Sequence, residues 1–568
     1  MSRRILIVGG VAAGASAAAK ARRMDETAEI IMFERGEYVS FANCGLPYYI
    51  SRHIVDREQL LVVTPEMFRV RYQIDVRLQH DVVGIDRDKK IVSVHDIAGN
   101  KTIEEPYDAL ILTPGAKPII PPIPMIDAPN VFPLRTIPDM DRVDAWLKEH
   151  NPRRATVIGA GYIGLEMAEA LVERGLTVTV VEKVPQVLPP IDPDMAALVE
   201  QHMRETGVEV RTGDGVKAFE GDKYVSRVAL DSGTVVNTDM VLLSIGVRPD
   251  VKLATDAGIA LGPTGAIAVS GTMQTSDPHI WAAGDAVESV NGANGKPCWI
   301  PLAGPANKQG RIAGANSVGG SLSMGPVFGT SIVRFNKMTA AVTGLNERFC
   351  QLQEYDYGVT LIHANQHAGY YPGADLLAVK IIFEKKTGKL LGAQVVGNEG
   401  VDKRIDVFAT ALAANMTAED LTKLDLAYAP PFGSARDPVI VAGFAAQKQV
   451  SGQMKPISSD ELHTMIEEGA EVEIIDVRNK DEYDEMHLPN AKLIPLDELR
   501  DRLDEIDRSK PVVVYCRIGL RGYLGCRICV QNGIKTRNLA GGIRGWRFEL
   551  IGRQYAKVVG STGDVSKA

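Results

Sequence analysis

Residues Ala155-Thr156-Val157-Ile158-Gly159-Ala160-Gly161-Tyr162-Ile163-Gly164 decide the fold class. A short apolar run leads into G-x-G-x-x-G, and a helical pattern follows to about Arg174. Val178–Val181 then reads as a second strand, ended by the acid Glu182. Strand, glycine turn, helix and strand with a terminal acid make a dinucleotide-binding βαβ unit. Gly159 permits the tight turn, Gly161 lets the backbone approach a pyrophosphate, and Gly164 lets the helix pack closely on the strand. The pyrophosphate would rest on the helix N-terminus, where free N–H groups and the helix dipole favour anions. Glu182 would accept from a ribose 2′-hydroxyl and repel a 2′-phosphate, which favours NADH. Lys183 beside it keeps NADPH possible.

About 150 residues upstream the pattern recurs with one departure. A strand at Ile5–Val8 enters the turn Gly9-Gly10-Val11-Ala12-Ala13-Gly14, a helix runs to about Arg23, and a strand at Glu29–Phe33 ends at Glu34-Arg35. Val11 replaces the second glycine, whereas Gly9 and Gly14 keep their roles. Two such units predict two nucleotides held face to face. Two more strands sharpen this. Tyr107–Leu112 ends in Thr113-Pro114-Gly115, and Ile280–Ala283 ends in Gly284-Asp285. They resemble the T-x-G and G-D motifs of two-dinucleotide-binding flavoproteins. The resemblance places Asp285 at the ribityl and pyrophosphate region of FAD; a helix N-cap is the plainer role for that acid.

The chain has 568 residues, too many for one core, so several domains are expected. The expected class is α/β: two nested Rossmann-like dinucleotide-binding domains, an α+β dimerisation domain and a C-terminal α/β module. The FAD-binding domain is expected at 1–115 and 250–328, and the NAD(P)H-binding domain at 116–249. The dimerisation domain follows at 329–447, a flexible linker at 448–457, the last module at 458–560 and a polar tail at 561–568. A net charge of -8 argues against a nucleic-acid partner. No apolar run reaches 18 residues, so no membrane span is expected. The first apolar run is too short for a signal peptide. Six scattered cysteines do not make a disulfide scaffold, and a reducing cytoplasm is the expected setting. No metal site is expected.

Two cysteines stand in chemically marked surroundings. Cys44 lies in Ser40-Phe41-Ala42-Asn43-Cys44-Gly45-Leu46-Pro47-Tyr48, just beyond the first βαβ unit. A helix starting after it would lower the thiol pKa through its dipole. With no C-x4-C, this thiol must pair with something outside itself: a substrate thiol, a persulfide, or an oxygen as sulfenic acid. Residues 1–447 strongly resemble the coenzyme A-disulfide reductases, the single-cysteine branch of the flavin disulfide reductases. That resemblance implies that Cys44 cycles through a mixed disulfide with coenzyme A. It further implies coenzyme A contacts at Ser16, Lys20, Arg23, Ser40 and Asn43, with Arg71 beside a family lysine position held here by Tyr72. Tyr370 and Tyr428, acting from the partner of a homodimer, would assist, with Tyr371 an adjacent competitor for the first role. Arg436 falls on a further cationic contact.

Cys516 opens Cys516-Arg517-Ile518-Gly519-Leu520-Arg521, directly after the apolar run Val512–Tyr515. Ile474-Ile475-Asp476-Val477-Arg478 and His487-Leu488-Pro489 precede it, and Leu539-Ala540-Gly541-Gly542-Ile543-Arg544-Gly545-Trp546 follows. The set resembles single-domain rhodaneses, which implies that Cys516 carries a persulfide. The loop amides would form an anion nest at a helix N-terminus, and Arg517 and Arg521 would add positive charge. Cys526 and Cys529 fit a helix packed on the sheet. Together the two motifs imply an NADH-dependent, FAD-containing reductase of coenzyme A persulfide, polysulfide or coenzyme A disulfide. An NADH oxidase or peroxidase, or a sulfur carrier or redox sensor, are the alternative expectations.

Overall fold

The computed structural model describes residues 2–548 and 550–552. The expected polar tail lies outside the described residues, as does the end of the segment assigned to the last module. The chain divides into two compact units, 1–183 with 214–329 and 184–213 with 330–568.

In the first unit the strand order is Ile280–Ala282, Ala109–Leu112, Arg4–Val8, Glu29–Glu34 and Asp75–Leu78, all parallel. Alternate residues of the central strands serve two cores. Ile5, Ile7, Ile30 and Met32 face one cluster, and Leu6, Val8, Ile31 and Phe33 face the other. A parallel sheet covered on both faces needs such unbroken apolar runs. One cover is the helix Ala12–Met24 packed on the helix Ala303–Asn316. Their approach requires glycine: a Cβ on Gly310 would lie 2.2 Å from the Ala13 carbonyl oxygen, and one on Gly314 2.2 Å from that of Ala17. The second nucleotide-binding sheet runs Thr177–Glu182, Arg154–Ile158, Met240–Leu243 and Val131–Pro133, again parallel.

In the second unit the strands Ser331–Phe335, Met338–Gly344, Leu390–Gly397, Leu376–Glu384 and Tyr357–Asn365 form an antiparallel sheet. The helices Val401–Ala413 and Pro438–Val450 cover it. A buried ammonium, Lys380, joins this sheet to the segment that carries the helix Pro193–Glu205. It lies 3.1 Å from Asp192, 2.7 Å from Asp194 and 2.5 Å from Glu347. Those three acids come close enough to hold a metal ion, but the cation among them is the lysine.

The last module is a parallel sheet in the order Pro456–Ile457, Thr536–Leu539, Val512–Tyr515, Glu473–Asp476 and Ala491–Leu493. Half of the expected flexible linker at 448–457 is helix or strand. Its first three residues extend the Pro438–Val450 helix, and Pro456–Ile457 pairs in the sheet. Between them the Gln453 carbonyl accepts from Arg527, and Lys448 lies over the Tyr523 ring. The polar composition of 451–455 reads as coil because a single sequence does not show these tertiary partners.

Candidate functional site

The two glycine turns have the same construction. Gly9 takes φ +92° and Gly159 φ +99°, and a Cβ on either would strike a carbonyl oxygen, Thr113 at 2.2 Å or Ser244 at 2.4 Å. Thr113 Oγ1 donates to the carbonyls of Val8 and Gly9 at 2.7 and 2.9 Å. Ser244 Oγ does the same for Ile158 and Gly159, at 2.9 Å each. The acids also match. Glu34 accepts from the Gly10 and Gly36 amides at 2.8 Å, and Glu182 accepts from the Ala160 amide at 2.7 Å. Ser244 went unnoticed in the sequence. Its signal is the repeat itself, since Ser244-Ile245-Gly246 ends its strand as Thr113-Pro114-Gly115 ends the other, with left-handed Gly246 and Gly115.

Both helices begin without a side-chain cap, at Val11 and at Gly161. Their first-turn amides, Ala12, Ala13 and Gly14 in one case, are the donors a pyrophosphate takes. A Cβ on Gly161 would meet nothing within 4 Å, so its open side has room for a ligand backbone. A Cβ on Gly14 or Gly164 would strike the preceding turn, at 1.8 and 2.0 Å, so both are kept for packing. The Gly284-Asp285 turn closes on the first helix. Gly284 has φ +84°, donates to Gln309 at 2.9 Å, and sits with its Cβ position 2.9 Å from the Ala13 methyl. Asp285 lies in that turn and starts no helix, so its N-cap role is absent. Burial raises its carboxyl pKa, and Arg135 partly offsets this. Arg135, half-buried near Arg35 and donating to the Pro114 carbonyl at 3.3 Å, is a cation beside these turns that sequence reasoning missed. Arg35 itself pairs loosely with Asp250 at 3.6 Å. These groups fit an FAD at the first turn and a nicotinamide nucleotide at the second.

Cys44 is anchored to the first turn through its own motif. The Ser40 amide donates to the Gly10 carbonyl at 2.8 Å, and Ser40 takes φ +48°. Asn43–Gly45 forms a single helical turn and Leu46–Ile50 a short helix. Asn43 Oδ1 accepts from the Cys44 amide at 3.0 Å and lies 3.7 Å from the thiol. The thiol is free and exposed. The expected lowering of its pKa is not what the surroundings produce. Crowding by protein atoms raises it, and the carboxylates of Glu166 and Asp285 raise it further. The helix that follows is only Leu46–Ile50, too short for its dipole to prevail over two acids. Glu166, two residues beyond Gly164, was also missed. Burial pushes its carboxyl up to about 7, while the Tyr48 hydroxyl donates to it at 3.3 Å.

The expected coenzyme A contacts on this unit form a stripe. Ser16, Lys20 and Arg23 recur at i, i+4 and i+7 of the first helix. Ser16 donates to Asn307 at 2.7 Å. Arg23 is exposed, whereas its neighbour Arg22 is buried and spent on the carbonyls of Tyr72 and Gln73. That clamp brings the end of the helix carrying exposed Arg71 beside the stripe.

The remaining expected residues lie in the second unit. The hydroxyls of Tyr370 and Tyr428 are 3.0 Å apart, and both rings are exposed. Tyr371 instead packs edge-on against His367 at 5.5 Å, which separates it from the pair. Arg436 is exposed. Cys516 follows its strand directly, and its sulfur accepts from the Gly519 amide at 3.2 Å. Gly519, at φ +98°, ends the loop and starts the helix Leu520–Gln531. Behind the loop, Ile543 donates to the Cys516 carbonyl at 2.8 Å and Arg544 to that of Arg517 at 3.1 Å. Gly542 is needed there, because its Cβ would lie 2.4 Å from the Cys516 oxygen. Of the two expected cations, Arg517 is exposed and Arg521 is tied bidentately to Glu482 at 2.7 and 2.6 Å. Arg521 therefore divides its charge between Glu482, which holds it most, and the Cys516 thiol, on which it also acts. Cys526 and Cys529 are buried with Cys516 in one apolar cluster, and burial pushes their thiols up to about 12 and about 11.

Residues 3–310 match the pyridine nucleotide-disulphide oxidoreductase family, 330–439 its dimerisation domain, and 458–549 the rhodanese-like domain. The chain is 35% identical over 450 residues to the coenzyme A disulfide reductase of Staphylococcus epidermidis, covering 78% of this chain and 100% of that one. It resembles the reduced Bacillus anthracis CoADR-RHD with a TM-score of 0.93 and 47% identity, over 96% of this chain and 98% of that one. The NAD-dependent persulfide reductase from A. fulgidus gives a TM-score of 0.90 and 38% identity, over 96% and 100%. With these matches and with turns built for two nucleotides, the chain belongs to the pyridine nucleotide-disulphide oxidoreductases, enzymes that work with FAD and NAD(P)H, and it carries a rhodanese domain at its C-terminal end.

Proposed function

We propose that this enzyme uses NADH to reduce coenzyme A persulfide or polysulfide, with coenzyme A disulfide as a related substrate, through Cys44 alone. The observation that carries the reading is the free, exposed Cys44 thiol tied through Ser40 to the first nucleotide turn. The relatives named as coenzyme A disulfide reductase and persulfide reductase support the substrate class. The rhodanese domain favours persulfide over disulfide, since a symmetrical disulfide offers Cys516 no sulfane sulfur.

The Cys44 thiolate attacks the coenzyme A sulfur of the persulfide. One S–S bond breaks, a mixed disulfide forms, and hydrosulfide leaves. Gly9–Gly14, Glu34, Thr113 and Asp285 would hold FAD, which when bound would supply the NADH-derived electron pair that reduces this disulfide. Because crowding by protein atoms, and then Glu166 and Asp285, raise the Cys44 thiol, the motif holds it for reaction rather than ionising it in advance. Asn43 Oδ1 orients it. Ser16, Lys20, Arg23 and Arg71 would hold the acidic phosphates of coenzyme A. Tyr370 and Tyr428 of the partner subunit would donate to the departing coenzyme A thiolate, which requires a homodimer. Cys516 would accept or deliver sulfane sulfur. The cytoplasm supplies the reducing setting this chemistry needs.

Stopped-flow NADH oxidation with coenzyme A persulfide, polysulfide, coenzyme A disulfide and peroxide separates the possibilities. Fast turnover is expected with the sulfur substrates. Turnover only with peroxide or oxygen would make the chain an oxidase or peroxidase, and turnover with none of them would favour a sulfur carrier or sensor.

A further inference from the structure

The second unit contains a cavity of about 100 Å³ that the proposed reaction does not use. A water needs only about 10–15 Å³ of such space, so the cavity admits a small organic molecule. Its walls come from three parts of the chain: the helix Pro193–Glu205, the antiparallel sheet, and Arg544–Arg547 of the rhodanese domain. Met195, Leu198, Met338, Leu361 and Trp546 make much of the lining apolar.

The polar groups in this lining are unequally satisfied. Asp194 is held by Lys380 at 2.7 and 2.9 Å, and Arg547 by Asp460 at 2.8 and 2.6 Å. Glu205 accepts from Gln201 and stands partly in solvent. Three groups keep unsatisfied capacity, and one of them, His202, has its Nε2 buried with no hydrogen-bond partner among the described residues and its Nδ1 3.9 Å from Glu205. His363 is 6% exposed, and its Nε2 is buried with no hydrogen-bond partner among the described residues. The Arg544 guanidinium lines the same space with no ion pair or side-chain hydrogen bond among the described residues. Asp375 is the acid that acts on it most, and Arg517 opposes it. Burial and the Arg544 charge keep the His363 imidazole neutral, with its pKa down to about 3. A buried orphan nitrogen is costly unless a ligand completes it, and the half-buried Arg544 cation beside it has charge to spare for one.

We propose that this cavity binds a small organic monoanion, a carboxylate or sulfonate with a short apolar body. The anionic head would pair with Arg544 and hydrogen-bond to His363, and the body would lie on Leu198, Met338 and Leu361. The site reports to the persulfide loop through backbone, since Arg544 donates to Arg517 and Ile543 to Cys516.

Calorimetric titration of the FAD-loaded full chain with butanoate and butanesulfonate tests this, with butylammonium as the control. At least one anion is expected to bind and the cation not to bind. Arg544→Gln is expected to weaken binding at least tenfold. Leu198→Trp fills the cavity from the side away from the Cys516 loop, and it is expected to abolish binding while leaving NADH oxidation unchanged. No binding of either anion, or anion binding that survives Leu198→Trp, would overturn the proposal. The Leu198 variant also distinguishes this cavity from adventitious anion binding at Cys516.

Discussion

At the residue scale the chemistry turns on how Cys44 is charged. Its thiol is raised by the protein atoms crowded around it, then by Glu166 and Asp285, and burial raises the Glu166 carboxyl itself to about 7. Above that pH the Glu166 carboxylate opposes the thiolate, so removing its charge lets Cys44 ionise at lower pH. Glu166→Gln is therefore expected to move the iodoacetamide alkylation profile of Cys44 in the flavin-loaded protein toward acid. An unmoved or alkaline-shifted profile would show that Glu166 does not act on the thiol. Cys44→Ser should abolish NADH-dependent persulfide reduction, and surviving turnover would mean another sulfur carries the step. The identity of Cys44 was legible in its motif, but its electrostatics were not. The deciding acids come from 122 and more residues away in the chain, brought beside it only by folding.

At the scale of elements, glycines set how closely backbone meets backbone. Gly310 and Gly314 face the Ala13 and Ala17 carbonyl oxygens, which cannot rotate away as a side chain can. Gly310→Ala should force the two helices apart, at a cost of about 1–3 kcal/mol of overpacking. Because one of those helices presents the first nucleotide turn, the purified variant should also hold less flavin, read from the ratio of visible flavin to protein absorbance. Full flavin content with unchanged melting would refute the account. Lys380 makes a second case, as a lone cation among three acids. Lys380→Met leaves those carboxylates unpaired and should destabilise the second unit by about 3–5 kcal/mol. Repulsion raises the carboxyl pKa values of such a variant above their unfolded values. Its deficit should then shrink as pH falls through the carboxyl range and be largest at neutral pH, which melting curves across pH would show. The strands were legible from their apolar runs. Lys380 was not, since an isolated lysine in Leu376–Glu384 gives no sign of acids that lie far off in sequence.

At the scale of the molecule, the tyrosine pair tests the assembly. Tyr370 and Tyr428 are exposed and bonded to each other within one chain. If they serve the partner's Cys44, neither a Cys44→Ser nor a Tyr428→Phe protomer works well alone. A mixed dimer nonetheless rebuilds one intact site from the two. Unfolding and refolding an equimolar mixture should restore about a quarter of native activity, because about half the dimers are mixed and each has one good site of two. No recovery would place the tyrosines within their own subunit or outside the reaction. Cys516→Ser should leave the reduction of free coenzyme A persulfide intact and eliminate sulfane-sulfur transfer from other donors to a thiol acceptor.

The sequence by itself determined the two nucleotide turns, the single thiol after the first, and the rhodanese loop. Each is a local pattern, because glycine spacing, a strand end and a loop between strand and helix are all set by neighbouring residues. It could not determine that half of the expected linker is helix or strand, that Arg521 pairs with Glu482, or that the His363 Nε2 is buried with no partner among the described residues. Those outcomes rest on hydrogen bonds and charges between residues tens to hundreds of positions apart. Only the tertiary structure sets them, because burial and electrostatic partners are properties of the packed chain, not of any segment within it.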